Sequence, residues 1–383
     1  MTVYLDSAAT TRVDPRVAEV VLYWMTTEFG NAGSRTHDWG TRAKRAVQEA
    51  REQLAGQLNA GPSELIFTSG ATESNNIALL GLAPHGESQG RRHVISSAIE
   101  HKAVLEPLEQ LATRGFEIEL ISPGPSGRVS VEAVRERLRD DTLLVSLMHV
   151  NNETGVIQPV AELAEHLRGT PTYLHVDAAQ GFGKLTDDLK APIDMISVSG
   201  HKIGAPKGVG TLLMRRRGRD TIPLTPLMYG GGQERKLRPG TLPVPLIVGL
   251  AKAAEIFETE HEQWWSQAAT IRARLVDALS KAKVHFNGDQ DHVIPHILNL
   301  SFDGVDAEAL IVQLKELVAV STGSACTSAS YTPSHVLRGM GLPDEVAHNG
   351  LRLSWVPDQV EDLDVDEVVS EILEFQAGAS YLA

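Results

Sequence analysis

The stretch Ile196-Ser197-Val198-Ser199-Gly200-His201-Lys202 passes from an apolar segment into a lysine, and a glycine-rich segment, residues 204–210, follows it. The apolar residues predict a strand, and the side chains around the lysine are small, hydroxylated or imidazole-bearing. A lysine after a strand is usually a solvated surface residue. A lysine that forms a Schiff base must instead be partly desolvated, so that its amine is nucleophilic near neutral pH. Other parts of the sequence distinguish these two interpretations.

The composition indicates a large globular protein. The 383 residues, of which 42% are hydrophobic, can bury a sizeable core and predict two domains. The 35 basic and 49 acidic residues give a net charge of -14, which argues against direct binding to nucleic acid or to an anionic membrane. The first residues do not resemble a signal peptide, and no apolar run approaches about 18 residues, so we expect a cytoplasmic protein. The single cysteine, Cys326, excludes an intrachain disulfide.

Strand-like and helix-like segments alternate through the first two thirds of the chain. Two helices are predicted first, over residues 13–29 and 41–58. The following strands are predicted over residues 64–68, 93–97, 116–121, 143–149, 172–176 and 195–199, and the helices between them over 71–82, 103–114, 129–139 and 160–167. This alternation favours an α/β fold with a mixed, mostly parallel sheet. Polar residues at the carboxyl ends of such strands are expected to converge on one crevice.

The pattern changes after a proline-rich segment, residues 239–245. A long helix is predicted over 246–280, then strands over 283–286 and 297–302 and helices over 307–317 and 365–375. We interpret this part as a smaller α+β domain. The predicted division is a large domain of residues 15–249, and a small domain of residues 1–14 and 250–383 that carries Cys326.

Three groups of polar residues follow predicted strands, namely residues 69–75, 151–155 and 177–180. Residues 69–75 form a glycine turn that opens a helix, which suits a phosphate but is also typical of an ordinary helix cap. Asp177 closes an apolar strand, where it caps a turn or pairs with a protonated ring nitrogen. With Lys202 and an imidazole, these groups predict a pyridoxal phosphate site. A nicotinamide site is disfavoured because no strand leads into a G-x-G-x-x-G turn.

Seven motifs occur in order along the chain. They are LDSAATT (5–11), FTSGATESN (67–75), EH (100–101), VNNETG (150–155), HVDAAQ (175–180), SGHK (199–202) and GSACTS (323–328). Together they resemble the NifS/IscS-type cysteine desulfurases, which are class V aminotransferase-like enzymes. The resemblance covers most of the chain and implies a fold-type I pyridoxal phosphate enzyme.

The resemblance also implies roles for individual residues. Lys202 would bind the cofactor aldehyde, Asp177 the pyridine nitrogen and Gln180 the ring hydroxyl, while His101 would stack on the ring and assist proton transfer. Further implied cofactor contacts are Ala71, Thr72, Asn152, Ser199, His201 and Thr241, the last reaching across from a neighbouring subunit. The implied substrate contacts are Asn31, Asn152 and Arg352. Arg352 would clamp the carboxylate of the substrate, although from the residues alone a plain ion pair is an equal alternative. No metal is implied.

Cys326 lies in a run of small and polar residues, 321–333, which predicts an exposed loop rather than a buried structural thiol. An unperturbed thiol is only about 3% ionised at pH 7, so a nearby histidine such as His101 would help to form the thiolate. By resemblance, this thiolate attacks the sulfur of L-cysteine, which leaves a persulfide on Cys326 and L-alanine as product.

The resemblance implies a homodimer with a shared active site and a protein that accepts the sulfur. The acceptor is an iron–sulfur scaffold protein or, if the chain belongs to the DndA branch, a partner in DNA phosphorothioate modification. The family's longer C-terminal extension, which helps to dock the scaffold, is not found here, and Trp355 stands where smaller residues are common. A selenocysteine lyase or an aminotransferase would need no thiol. A sulfur-relay scaffold without turnover is opposed by the complete set of Lys202, Asp177, His101 and Cys326.

Overall fold

The computed structural model describes residues 2–323 and 333–380. Within these residues the strands are β1 (Val3–Tyr4), β2 (Leu65–Thr68), β3 (His93–Ser97), β4 (Glu117–Ile121), β5 (Thr142–Met148), β6 (Tyr173–Asp177), β7 (Met195–Ser199), β8 (Gly210–Met214), β9 (Val284–Phe286), β10 (Ile297–Phe302), β11 (Val318–Ala319) and β12 (Gly350–Ser354). The helices are α1 (Pro15–Thr26), α2 (Asp38–Gln57), α3 (Ala71–Gln89), α4 (Lys102–Thr113), α5 (Val131–Arg135), α6 (Val160–Leu167), α7 (Val244–Leu279), α8 (Ala307–Leu314), α9 (His335–Gly339), α10 (Asp344–His348) and α11 (Val365–Ser380). None of the helices in these ranges has the length and apolar character needed to cross a membrane.

Seven strands form one large sheet in the order β2-β8-β7-β6-β5-β3-β4. Strands β3 to β7 pair in parallel, whereas β8 runs antiparallel to both of its neighbours, β7 and β2. This arrangement confirms the predicted α/β fold with a mixed, mostly parallel sheet. Strand β8 was not predicted, because the residues around it look like a glycine-rich loop.

Helices cover both faces of this sheet, which explains why every residue of β5 and β7 is buried. On one face, α3 and α4 contribute Leu82 and Leu108 to a core shared with the sheet. On the other face, α2, α6 and α7 contribute Leu54, Leu163 and Leu250. The sheet is therefore a buried platform on which the loops at its edges are held.

A second, smaller core lies around an antiparallel sheet in the order β12-β10-β9 and the parallel pair β1–β11. Trp355, Leu298 and Ile372 are buried in it, together with Leu5 from the N-terminal segment. Helix α7, 36 residues long, packs Leu250 in the first core and Leu279 in the second. The two cores suit the predicted division into two domains, whose boundaries stay a prediction.

Two helices differ most in length from those predicted. Helix α3 continues through Pro84 to Gln89, because Ala83 and Gly86 beyond the predicted end are still buried. The helix predicted over residues 129–139 is only five residues long, Val131–Arg135, with turns on its C-terminal side. Neither difference moves a residue of the predicted site.

Candidate active site

One cavity of about 520 Å³ lies at the edge of the large sheet where the parallel strands end. Among its lining residues are ten that were predicted from the sequence: Ala71, Thr72, His101, Asn152, Asp177, Gln180, Ser199, His201, Lys202 and Arg352. They come from segments that follow β2, β3, β5, β6 and β7 and from β12. The fold thus brings together residues that are up to 281 positions apart between Ala71 and Arg352.

Lys202 lies in a short turn that connects β7 to the antiparallel strand β8. Its Nζ donates to the carbonyl oxygens of Ala8 and Ala9, at 2.6 and 2.7 Å. The N-terminal segment is held against the turn because Thr11 bonds to the carbonyl oxygen of His201 through both its backbone N–H and its hydroxyl. The lysine is half-buried and directed into the cavity wall, unlike a solvated surface lysine.

Asp177 is the last residue of β6 and is 6% exposed. Its Oδ2 accepts a hydrogen bond from Asn75 Nδ2 at 2.7 Å, and its Oδ1 accepts one from the backbone N–H of Ala179 at 2.9 Å. These two donors fix the plane of the carboxylate beside the cavity. No role was predicted for Asn75, although its place in the first turns of α3, directly after the glycine turn, could have indicated one.

Below Asp177 in the same strand, His175 is fully buried between two hydroxyl groups. Its Nδ1 is 2.8 Å from Ser146 Oγ and its Nε2 is 3.0 Å from Ser197 Oγ. Burial lowers the pKa of His175 to about 4, although the charge of Asp177 opposes this change. His175 is therefore a neutral support within the sheet, on the same face as Asp177.

His101 caps helix α4. Its Nδ1 accepts a hydrogen bond from the backbone N–H of Ala103 at 3.0 Å, which places the proton of the neutral ring on Nε2. Burial lowers the pKa of His101, the charge of Lys202 lowers it further, and Asp177 acts in the opposite direction. A neutral imidazole with a defined tautomer can hold or pass on one proton at Nε2.

The glycine turn before α3 has the features expected of an anion cradle. Gly70, which precedes the helix, has a φ of 150°, and no side chain caps the first turn of α3. A Cβ placed on Gly70 would be 3.5 Å from Ser199 Oγ, so the ends of β2 and β7 approach closely here. Helix N–H groups and a hydroxyl thus converge where Thr72 and Ser199 were predicted to bind phosphate.

Two further basic residues border this cradle. The Nδ1 of His201 is 3.0 Å from Thr10 Oγ1, and burial together with the charges of Lys202 and Lys207 lowers the pKa of His201 to about 4. Lys207 is exposed and lines the cavity. Sequence reasoning missed Lys207, since a lysine in a glycine-rich loop looks like an ordinary surface residue.

Arg352 projects from β12 and is 2% exposed. Its Nη2 donates to Asp6 Oδ1 at 2.6 Å and its Nη1 donates to the carbonyl oxygen of Asn152 at 2.9 Å. A buried guanidinium needs an anionic partner, and Asp6 supplies one. A substrate carboxylate that bound Arg352 would therefore share the guanidinium with Asp6. The substrate clamp stays a prediction.

Two predicted residues do not line the cavity. Asn31 and Thr241 are both exposed, and Asn31 Oδ1 accepts a hydrogen bond from the backbone N–H of Gly33 instead. Thr241 was predicted to contact the cofactor of a neighbouring subunit. Its position outside the cavity of its own chain does not test that prediction.

Cys326 lies outside the described residues, but the residues on either side of its segment converge on Glu153. The hydroxyl of Ser334 donates to Glu153 Oε2 at 2.6 Å, and a Cβ on Gly323 would be 3.1 Å from the same oxygen. Ser321 pairs with Arg352 through backbone hydrogen bonds. The segment that carries Cys326 therefore begins beside the strand of Arg352.

Glu153 and Glu100 are buried carboxyl groups to which the sequence analysis gave no role. Burial raises the pKa of both, and for Glu100 the increase is large. Glu100 Oε1 accepts a hydrogen bond from the backbone N–H of Met148, which ties the residue before His101 to the end of β5. The two glutamates occur in two of the seven motifs. The sequence of these motifs does not indicate whether a glutamate is structural or catalytic.

Comparisons with known proteins agree with this geometry. The sequence profile of the family described as aminotransferase class-V matches residues 3–367. The chain belongs to the class-V aminotransferase family. Enzymes of this family use pyridoxal phosphate, which is therefore the cofactor of this class-V protein.

Several known proteins are similar to this chain over nearly their whole length. The cysteine desulfurase IscS of Vibrio vulnificus is 48% identical over 374 residues, which cover 97% of this chain and 91% of that protein. The crystal structure of DndA from Streptomyces lividans is 69% identical, with a TM-score of 0.82, and the match covers 92% of this chain and 99% of that one. A structure described as SspA in complex with cysteine is 37% identical, with a TM-score of 0.82 and coverage of 93% and 99%.

The described residues fit pyridoxal phosphate. The N-terminus of α3 suits the phosphate, the carboxylate of Asp177 suits a protonated ring nitrogen, and Lys202 suits the aldehyde. Within the described part of the chain, the buried Oε1 of Gln180 has no hydrogen-bond partner, while its Nε2 donates to the carbonyl oxygen of Ala8. A ring hydroxyl in the cavity would supply the donor that this oxygen lacks. No cluster of metal-binding side chains occurs among the described residues.

Proposed function

We infer that this protein is a pyridoxal phosphate-dependent cysteine desulfurase. L-cysteine and the thiol of Cys326 would give L-alanine and a persulfide on Cys326, so that the C–S bond of the substrate breaks, an S–S bond forms and no external oxidant is needed. The observation that carries this proposal is the convergence of Lys202, Asp177 and His101 on one cavity, in a chain whose relatives include the cysteine desulfurase IscS.

The cofactor, when bound, supplies an electron sink that weakens bonds around the substrate's α-carbon. The side chains of the protein position the cofactor and the substrate and exchange protons with them. Asp177, fixed by Asn75 and Ala179, would hold the ring nitrogen in its protonated state. Lys202 Nζ would exchange a proton with the substrate, and the carbonyl oxygens of Ala8 and Ala9 accept hydrogen bonds from Nζ and hold it in position.

His101 and Arg352 would act on the substrate itself. The neutral ring of His101, with its proton on Nε2, is suited to exchange one proton with the substrate or with the incoming thiol. Arg352 would bind the substrate carboxylate while it keeps its bond to the carbonyl oxygen of Asn152. The substrate would thereby be oriented for attack on its sulfur by the thiol of Cys326.

Two variants test these assignments. Lys202→Ala should lose the visible absorbance of the lysine-bound cofactor, and an unchanged spectrum would mean that another lysine binds it. Cys326→Ser should keep that absorbance but release no sulfide from L-cysteine in the presence of a thiol reductant. Sustained sulfide release by Cys326→Ser would refute the assignment of Cys326.

We further propose a homodimer whose active site is completed by Thr241 of the partner subunit. Two segments expose large apolar side chains: residues 22–39, with Leu22, Met25, Phe29 and Trp39, and residues 227–229, where Tyr229 is 82% exposed. Apolar surface of this kind is typical of a subunit interface. Sedimentation of the holoenzyme should give a dimer, and Tyr229→Lys with Phe29→Lys should shift it toward the monomer; a wild-type monomer would refute the proposal.

For the sulfur acceptor we propose a protein partner in DNA phosphorothioate modification rather than an iron–sulfur scaffold. The 69% identity with DndA exceeds the 48% identity with IscS, and the net charge of -14 is unsuited to direct contact with DNA. We expect the protein to act in the cytoplasm, because the reducing conditions there would keep the thiol of Cys326 reduced before each turnover. Incubation of the persulfidated enzyme with candidate acceptors, followed by measurement of sulfur transfer, tests this choice; preferential transfer to an iron–sulfur scaffold would contradict it.

A further inference from the structure

A second cavity, of about 550 Å³, lies on the other side of the turn that holds Lys202. Its walls are the N-terminal segment around Ser7 and Thr11, helix α7 between Ala253 and Arg274, and the loop of residues 356–361. Lys202 lines both this cavity and the one described above. The proposed desulfurase chemistry gives the second cavity no role.

Several buried polar groups line this cavity without hydrogen-bond partners among the described residues. They are the hydroxyl of Ser7, the indole N–H of Trp264 and both ring nitrogens of His296. Ser7 is 3% exposed and His296 is 1% exposed, so bulk water does not solvate them. Leaving such groups unpaired costs about 1–3 kcal/mol each, which makes a bound partner in the cavity favourable.

Lys184 adds a positive charge to the same wall. It is 3% exposed, and its Nζ is 3.4 Å from the carbonyl oxygen of Gln180, a long and weak contact. No salt bridge joins Lys184 to a carboxylate in the described part of the chain, and the charged group that acts on it is Lys202. Burial and the charge of Lys202 lower the pKa of Lys184 to about 7.

The acidic residues near the cavity do not neutralise this wall. Four carboxylates line the cavity, those of Asp14, Glu260, Asp358 and Glu361, and all four are exposed or half-exposed at its rim. Arg16 binds Asp14 and Glu260, and Arg12 is 3.9 Å from Asp358. On the inner side, the charges of Lys184 and Arg272 both act on His296 and lower its pKa. The interior therefore combines hydrogen-bond donors with uncompensated positive charge, which repels cations and attracts anions.

We propose that this cavity is a binding site for a small anion with negatively charged oxygens, a carboxylate or an inorganic oxyanion. Lys184 provides the opposite charge, and Ser7 and His296 donate hydrogen bonds to its oxygens. The anion would satisfy groups that otherwise stay unpaired and would offset the positive charge next to Lys202.

Titration calorimetry of the holoenzyme with sodium acetate and with sodium phosphate, at constant ionic strength, tests this proposal. With the cofactor in place, its phosphate cradle is occupied and does not compete for the probes. We expect saturable binding of at least one probe, and the probe that binds distinguishes a carboxylate from an inorganic oxyanion. Lys184→Met should weaken this binding by about tenfold or more, because a charge-assisted contact is lost. Lys190→Met, at an exposed lysine paired with Asp187, is the matched control and should leave binding unchanged.

His296→Phe provides a second variant that keeps the ring volume but removes both nitrogens. Circular dichroism and cofactor absorbance identify which variants are folded. Weaker binding in a folded Lys184→Met or His296→Phe protein, with the control unchanged, supports the site. The absence of saturable binding to the wild type, or binding that every folded cavity variant retains, overturns it, since the cavity would then hold only water.

Discussion

Asn75 is predicted to control cofactor binding through Asp177. The substitution Asn75→Ala removes the donor of the 2.7 Å hydrogen bond to Asp177 Oδ2, which lies in a site that is nearly closed to solvent. Asp177 would keep the bond from Ala179 to its other oxygen, so the carboxylate would lose one of two restraints. Its plane could then rotate away from the position in which it meets the ring nitrogen.

The expected size of this effect follows from the bond that is lost. A hydrogen bond to a charged group contributes about 1.5–3 kcal/mol, which corresponds to a loss of cofactor affinity of roughly 10- to 100-fold. Titration of the apoenzyme with pyridoxal phosphate, followed by absorbance, measures this affinity. The cofactor absorbance of the saturated variant should shift as well, because protonation of the ring nitrogen would be less complete.

The neighbouring residue offers a matched control. Asn76 is on the same helix turn, but its Nδ2 donates to the carbonyl oxygen of Thr72 and not to Asp177. Asn76→Ala should therefore keep the cofactor affinity within a few-fold of the wild type. If Asn75→Ala binds the cofactor as tightly as Asn76→Ala does, Asn75 does not position Asp177 and the reasoning is refuted.

Three further predictions follow from other contacts. Asp6→Asn should lower the KM for L-cysteine by up to about tenfold with a smaller change in kcat, because the substrate carboxylate would no longer compete with a charged Asp6 for Arg352. Gly323→Ala should reduce the free energy of unfolding by roughly 1–2 kcal/mol, because the φ of Gly323 is +80°. The same substitution should slow sulfur transfer to Cys326, because the new Cβ would contact Glu153 too closely. His175 binds its proton less readily in the folded than in the unfolded protein, so its stabilising effect is complete above pH 6.5 and is lost as the pH falls toward 4. Unfolding in urea should show a loss of stability between pH 7 and pH 5 that is smaller by about 2 kcal/mol in His175→Gln than in the wild type.

Each of these predictions has a control elsewhere in the chain. Asp358→Asn changes an exposed carboxylate 3.9 Å from Arg12 and should not alter KM. Gly341 has a φ of +75° with open space around it, so Gly341→Ala should cost similar stability without slowing sulfur transfer. His285→Gln, at an exposed histidine far from the site in the sequence, is the control for His175→Gln. Asp358→Asn with the KM of Asp6→Asn, Gly341→Ala with the slowed sulfur transfer of Gly323→Ala, or His285→Gln with the pH dependence of His175→Gln would contradict the corresponding prediction.

The sequence was sufficient to predict the platform of the site. Apolar segments between predicted helices predicted strands β3 and β7 with their observed bounds, because such segments are typical of buried parallel strands. The antiparallel strand β10 was also predicted with its observed bounds. The lysine after β7 and the aspartate at the end of β6 could be placed on one edge because parallel strands end on the same side.

Other parts of the site depend on contacts between distant segments, which periodicity does not encode. The bond between Asp6 and Arg352 joins residues 346 positions apart, and the bond between Asn75 and Asp177 joins residues 102 apart. Strand β8 was missed because its glycine-rich flank resembles a loop. The second cavity depends on Ser7, Lys184 and His296, whose proximity no local pattern in the sequence indicates.

The most direct test of the central claim is a single-turnover reaction of the holoenzyme with 34S-labelled L-cysteine, without reductant, followed by mass spectrometry of the peptide that contains Cys326. We predict that this peptide gains the mass of one labelled sulfur atom and that alanine forms in equal amount. In the Lys202→Ala protein neither product should appear. Alanine formed without labelled sulfur on Cys326, or labelled sulfur on Cys326 in the Lys202→Ala protein, would contradict the account.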